Sequence, residues 1–258
     1  MPLVAGHHYF LHEGGSTLRP PLVLIHGAGG DYLSWPAELR RLPGVRVFSL
    51  DLSGHGNSEG LGRQSIVDYA SSVVDFMNAA GLSRAVFGGH GMGGAIALAL
   101  ALDHPARVAG MILISTGSRL PIPPDVIENG ASPSTIMLAI KSLQEFSFHP
   151  DTSAALQETV FKRLTHIRQT LLYRDWLACD RFDVSGRLEM VKTPTLVVCG
   201  KDDKLTPLHF SETLASCIPG AALQTVDEAG HMLILEQPLH LAKLISVFLS
   251  TILYTPGM

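Results

Sequence analysis

Residues 87–94 read F-G-G-H-G-M-G-G and stand between the apolar run Ala85-Val86-Phe87 and a longer one from Ala95 to Leu102. A short apolar run, a cluster of glycines and a long apolar run describe a buried strand that turns sharply into a helix. Glycine is needed there because it accepts positive φ and lets two backbones approach closely. In this setting the pattern G-x-S-x-G presents a serine at the tip of the turn. The central position here is Gly91, so the turn is present without the hydroxyl.

Working outward, short β-branched and aliphatic runs alternate with longer helical patterns. Leu22–His26, Val45–Asp51, Ala85–Gly88 and Met111–Ser115 read as strands, and Ser65–Ala80 and Gly93–Asp103 as helices. The strands are apolar at nearly every position, which is expected of a parallel sheet covered on both faces. An antiparallel hairpin around Ala5–Glu13 precedes them. After Ser115-Thr116-Gly117 the rhythm breaks at Leu120-Pro-Ile-Pro-Pro124, and residues 125–185 carry helical periodicity without a strand. The βα pattern then resumes with Pro194–Gly200 as a strand, Leu208–Ile218 as a helix, Ala222–Val226 as a strand and Leu239–Leu253 as a final amphipathic helix. The expected class is therefore α/β, a mostly parallel central sheet flanked by helices. Residues 1–117 and 188–258 form its core and 118–187 a helical insertion.

Composition narrows the function. With 258 residues, 46% of them hydrophobic, the chain can bury a substantial core. The net charge of −4 and the absence of a basic run argue against nucleic acid and against an anionic membrane surface. Three widely spaced cysteines make neither a disulfide framework nor a metal motif, which suits a reducing cytoplasm. No run is long enough to span a bilayer, and no basic segment precedes an apolar stretch at the start. The expected partner is a small, mostly apolar molecule, with no cofactor and no metal; monomer and homodimer both remain open.

In parallel sheets the loops at the carboxyl ends of the strands form the ligand crevice. Five polar or glycine-rich loops fall there: His26–Gly30, Asp51–Gly56, Gly89–Gly94, Gly200–Asp203 and Ala229–His231. His231 is suited to acid–base work near neutral pH, and a carboxylate at Asp203 or the adjacent Asp202 can orient its imidazole. His26, His55, His90 and His231 come from separate loops without paired ligand spacing, which disfavours a metal site.

The order elbow, acid, histidine resembles that of the α/β-hydrolase superfamily, particularly small capped esterases and lactonases. The resemblance runs over essentially the whole chain: His26-Gly27, Asp51-x-x-Gly-His-Gly-x-Ser58, the Gly89–Gly94 elbow, Gly200-x-x-Asp203-x-x-x-Pro207, and Gly230-His231 with Glu236-Gln-Pro238. It implies the α/β-hydrolase fold with a helical cap. It also implies Asp203 as the acid and His231 as the base, with the backbone N–H groups of Ala28 and Met92 as an oxyanion hole. Gly27, Trp176 and Met232 are expected against substrate. The departure is Gly91, where the family pattern has serine.

Without Oγ no acyl-enzyme forms at residue 91, so ordinary acyl-serine catalysis by this chain is excluded. Three accounts follow. The chain is a hydrolase of esters, lactones or similarly activated carbonyls in a form lacking its nucleophile. Alternatively, it is an enzyme that uses the His231–Asp203 pair directly, for water activation or for lyase or cyclase chemistry. The third account is a ligand-binding protein without catalysis. Ser115, Thr116 and Cys199 are poor substitutes for the hydroxyl, the serine and threonine as ordinary strand-end residues and the cysteine as buried packing.

The insertion supplies Ile122, Ile136, Met137, Ile140, Phe146, Phe148, Leu172 and Trp176, partly as its own core and partly to face an apolar substrate. Arg168, Arg174 and Arg181 read as solvated surface. Asp51, Gly54, Gly56 and Ser58 read as a structural turn, His55 and His90 as loop residues, and Glu236-Gln-Pro238 as the start of the last helix.

Overall fold

The apolar runs become eight strands: β1 (Leu3–Val4), β2 (His7–Glu13), β3 (Leu22–Ile25), β4 (Arg46–Leu50), β5 (Ala85–His90), β6 (Val108–Ile114), β7 (Thr195–Gly200) and β8 (Ala222–Val226). In the computed structural model, which describes residues 3–252, they form one sheet in the order β1-β2-β4-β3-β5-β6-β7-β8. From β4 to β8 every pairing is parallel, whereas β1 and β2 run antiparallel. This agrees with the mostly parallel sheet expected from the apolar strands.

Alternation along each strand separates two cores, because successive side chains point to opposite faces. Val23, Ile25, Phe87, Met111, Leu113 and Val197 join one cluster, and Leu22, Leu24, Val86, Ile112, Ile114 and Val198 the other. The helices are α1 (Ala37–Arg40), α2 (Ile66–Ala79), α3 (Met92–Asp103), α4 (Pro124–Gly130), α5 (Ile136–Glu145), α6 (Ala154–Thr165), α7 (Gln169–Asp180), α8 (Leu208–Cys217), α9 (Leu233–Glu236) and α10 (Pro238–Thr251). Helices α2, α3 and α8 pack on the first face, and α1, α9 and α10 on the second. Helix α3 is buried on all sides from Met92 to Ala101, which accounts for its lack of a polar stripe.

Several boundaries differ from the expected ones for visible reasons. Strand β5 continues through Gly88 and Gly89 to His90, because neighbours on both sides pair with the glycines. Strand β6 stops at Ile114, since Ser115 turns to φ 47°. Ser65 caps α2 from outside, its side chain accepting from Asp68 N–H. The N-terminal hairpin turns at Ala5-Gly6, both at positive φ, but β2 pairs mainly with β4. Leu253, the expected end of the last helix, lies outside the described residues.

Between β6 and β7 the chain forms α4 to α7. Val126, Ala139, Ile140, Leu172 and Trp176 make a separate small core there. Strands β3 and β5 are neighbours, yet their connections leave to opposite sides, β4 on one and β6 on the other. Such a switch point opens a crevice at the carboxyl ends of the strands. It brings the Gly27–Gly30 loop after β3 beside the Gly91 turn after β5.

Candidate active site

The turn between β5 and α3 has Gly91 at φ 52° and ψ −114°, a conformation that strains any residue with a Cβ. Its N–H donates to Ile114 O at 3.0 Å, and its carbonyl accepts from Gly94 N–H at 3.0 Å and from Thr116 Oγ at 2.8 Å. Gly93 meets a different demand: a Cβ there would collide with the carbonyl of Ile25, so α3 can leave the sheet at this angle only with glycine. Around Gly91 there is space. A Cβ built there lies 3.4 Å from His231 Nε2 and 3.9 Å from Ser115 O.

His231 reaches this point from the loop after β8. Its Nδ1 lies 3.1 Å from Asp203 Oδ2, 3.3 Å from Oδ1 and 3.2 Å from Thr206 Oγ. With the carboxylate accepting, the proton sits on Nδ1 and the lone pair on Nε2, toward Gly91. Asp203 also accepts from Leu205 N–H at 3.0 Å, from Thr206 N–H at 2.8 Å and from the Thr206 hydroxyl at 2.7 Å. Burial alone would raise the Asp203 carboxyl. The neighbouring His231 and the two Thr206 donors outweigh it and hold the group below the usual carboxylate range. Asp202 points elsewhere, its Oδ2 3.6 Å from His149 Nε2 at the surface.

His90 and Glu236 fix the histidine loop from outside it. His90 Nε2 lies 2.9 Å from the His231 carbonyl and must donate, so its Nδ1 is bare; burial and then His231 push its pKa down to about 3. Glu236 was expected only to begin a helix. Its Oε2 accepts from Gly230 N–H at 2.8 Å, and its Oε1 accepts from His149 N–H at 2.7 Å and the Thr152 hydroxyl at 2.5 Å. One carboxylate thus ties the histidine loop to the segment between α5 and α6.

A cavity of about 860 Å³ opens over these groups. Gly27, Ala28, Gly91, Met92, Trp176, His231 and Met232 all line it, while Asp203 stands behind His231. Among the described residues, neither Ala28 N–H nor Met92 N–H enters a hydrogen bond, and neither does His231 Nε2. Three of the five loops line the cavity, and the Gly200–Asp203 loop reaches it only through the following Lys204–Thr206. The Asp51–Gly56 loop does not: Asp51 instead accepts from Tyr32 N–H at 2.7 Å and Asn57 N–H at 2.9 Å and lies 2.6 Å from His8 Nδ1.

From the insertion, Ile122, Ile140, Phe146 and Leu172 line the cavity with Trp176, whereas Ile136, Met137 and Phe148 do not. Met137 is on the outside and Phe148 packs against Gly230. Helical spacing specifies which side of a helix is apolar, but not which neighbour that side meets. Arg168 and Arg174 clasp the core loops, reaching Gly54 O at 3.0 Å and Leu61 O at 3.2 Å. The basic groups on the cavity wall are Lys162, Arg163 and Lys204, of which Arg163 pairs with Asp31 at 3.2 Å and Lys162 with Glu158 at 3.1 Å. Of the sequence-quoted alternatives to a serine, Thr116 is committed to the Gly91 carbonyl and Ser115 is fully buried. Burial pushes the Cys199 thiol up to about 12.

Three contributors were not singled out in the sequence: Thr206, Glu236 as a tether, and Asp175. Thr206 was detectable as a hydroxyl three residues beyond a loop aspartate, a common local bonding distance. The roles of Glu236 and Asp175 were not, since Glu236 joins Gly230 to His149, 87 positions before it, and Asp175 meets Gly29, 146 positions before it. Among the described residues no group of three or more His, Cys, Asp or Glu could hold a metal ion, and no helix is long and apolar enough to cross a membrane.

A strand–turn–helix elbow at the switch point of a mostly parallel sheet, faced by a His–Asp pair and roofed by helices, defines the class of α/β-fold hydrolases. The chain belongs to that family: the model of the alpha/beta hydrolase fold matches residues 20–238. It is 29% identical to a 2-hydroxymuconate semialdehyde hydrolase of Pseudomonas putida, with 96% of this chain and 92% of that protein covered. The enol-lactonase of Burkholderia xenovorans LB400 superposes with a TM-score of 0.86 at 25% identity, covering 95% of this chain and 96% of the other. Est816, described as an N-acyl homoserine lactone degrading enzyme, superposes with a TM-score of 0.80 at 27% identity and covers 94% and 96%.

Proposed function

We propose that the chain is a hydrolase of esters, lactones or similarly activated carbonyls with an apolar acyl or cyclic part, in a form lacking its serine nucleophile. Residues 118–187 act as a cap over a core of 1–117 and 188–258. Gly91 occupies the nucleophile position, His231 is the base, Asp203 the acid that orients it, and Ala28 and Met92 supply the oxyanion-hole N–H groups. Gly27, Trp176 and Met232 lie against the substrate. The observation that carries this reading is the 3.4 Å between a Cβ at Gly91 and His231 Nε2, on an imidazole whose Nδ1 is 3.1 Å from Asp203.

With serine at 91, His231 Nε2 takes the hydroxyl proton as Oγ attacks the carbonyl, and the oxyanion moves toward the N–H groups of Ala28 and Met92. His231 then returns the proton to the leaving oxygen, and water cleaves the acyl-enzyme by the same route. Gly91→Ser is the test. It is expected to lower stability by about 1–3 kcal/mol through the positive φ, and to show a burst with an activated aryl ester. A folded Gly91→Ser protein that never forms an acyl-enzyme overturns the reading.

A second reading is supported by three groups of cavity-lining residues, His231 Nε2 and the N–H groups of Ala28 and Met92, which have no protein partner among the described residues. In it, the His231–Asp203 pair of the chain as it stands activates water or moves a proton in lyase or cyclase chemistry. Turnover by the unaltered chain that His231→Ala abolishes supports this reading. A ligand bound tightly and released unchanged supports a receptor instead.

A further inference from the structure

The mechanism above leaves unused a second buried carboxylate, Asp175 in α7. It is fully buried, and all of its partners come from outside the insertion. Oδ2 accepts from Gly29 N–H at 2.8 Å and lies 2.8 Å from His55 Nε2, while Oδ1 accepts from the Tyr69 hydroxyl at 2.7 Å. His55 Nδ1 in turn faces Ser53 O at 3.2 Å. Both ring nitrogens of His55 face oxygen acceptors, an arrangement that favours the doubly protonated ring beside the carboxylate. Burial opposes that charge, but Asp175 outweighs it and raises the His55 pKa.

A buried ion pair of this kind is seldom explained by stability alone, because desolvation consumes most of the Coulombic gain. Its third donor suggests what it does. Gly29 immediately follows Ala28 in the loop after β3 and stands at φ 66°, and a Cβ there would meet Leu172 Cδ1 of α7 at 2.7 Å. The roof therefore rests directly on this loop, and Asp175 is the side chain that holds its backbone. Within the loop, the Gly27 carbonyl accepts from Gly30 N–H at 3.0 Å and lies 2.8 Å from His26 Nδ1, but neither contact holds the Gly29 N–H.

We infer that Asp175 is a positioning residue: by holding the Gly29 N–H from α7, it sets the adjoining Ala28 N–H, so that docking of the helical insertion and assembly of the oxyanion hole are one event. This inference rests on the hydrolase reading for its chemical consequence, but the placement itself is testable without it. A donor displaced by about an ångström costs on the order of 10²-fold in rate.

The experiment has two arms. In the unaltered chain, hydrogen exchange resolved at Gly29 is expected to proceed with the same opening as the amides of α7, and to quicken at least tenfold in Asp175→Asn. Exchange at Gly29 more than tenfold faster than in α7, with α7 still protected, overturns the coupling. In the Gly91→Ser background, Asp175→Asn is expected to lower kcat for an activated aryl ester by tenfold to a hundredfold and leave KM within about twofold. An unchanged kcat, or a change in KM alone, overturns the positioning role. If Gly91→Ser itself hydrolyses no ester, the hydrolase reading fails, and the exchange arm still decides where Asp175 acts.

Discussion

Two of the His–Asp pairs, His231–Asp203 and His55–Asp175, differ at one nitrogen. In His231–Asp203 the imidazole uses Nδ1 toward the carboxylate and leaves Nε2 open to the cavity beside Gly91. In His55–Asp175 the second nitrogen is closed by Ser53 O, and both residues are buried. The chemical consequence is large. A ring with one open nitrogen can accept and return a proton during a reaction, whereas a ring with both nitrogens donating to oxygen is locked as a cation. Residue type alone therefore says little about proton transfer; the occupant of the second nitrogen decides it.

Three measurements break or sharpen this contrast. The largest effect is expected at the open pair. In the Gly91→Ser background, Asp203→Asn should lower kcat on the order of 10⁴-fold, because an amide no longer enforces the tautomer with its lone pair on Nε2. Steady-state kinetics check it, and a loss under tenfold would show that Asp203 does not orient the base. Next, Asp175→Ala should cost about 3–5 kcal/mol in urea unfolding, since it strands the buried His55 cation. A loss below about 1 kcal/mol would mean that His55 is neutral in the folded chain.

The smallest effect is in the pH dependence of stability. Asp175 and Asp203 are held below the usual carboxylate range, against burial, by their histidine partners and hydrogen bonds. Their contribution is present above the unfolded value of about 3.9 and is lost as pH falls through the folded ones. His55 is shifted up, so its contribution is full below about 6.5 and is lost as pH rises through its folded value. Unfolding free energies from urea titrations measured against pH should fall on both sides, by at most about 1.4 kcal/mol per pH unit for each proton. In His55→Gln the alkaline limb attributable to this residue should disappear, and its persistence there would assign the limb to another group.

Relations along the chain were legible wherever they were local. Buried strands declared themselves by unbroken apolar runs, and the elbow by Gly89, Gly91 and Gly93 around a strand-to-helix change. The residues alone left Asp202 and Asp203 open and the family resemblance pointed to Asp203; the fold turns Asp203 toward His231 and Asp202 toward His149 at the surface. His55 was read as a loop residue because its sequence neighbours, Gly54 and Gly56, are turn formers. Its partner Asp175 stands on a helix 120 positions away.

The sequence by itself determined the α/β class, the strand-to-helix turn and the absence of a side chain at Gly91, since periodicity, glycine conformation and side-chain chemistry are properties of short segments. Tertiary structure alone decided that Asp203 meets His231, that Glu236 ties the His231 loop to His149 and Thr152, and that Asp175 reaches His55 and Gly29. Each of those depends on bringing distant polar groups to within about 3 Å in a buried place, where a hydrogen bond must be satisfied or its loss costs stability. No local pattern encodes such a meeting.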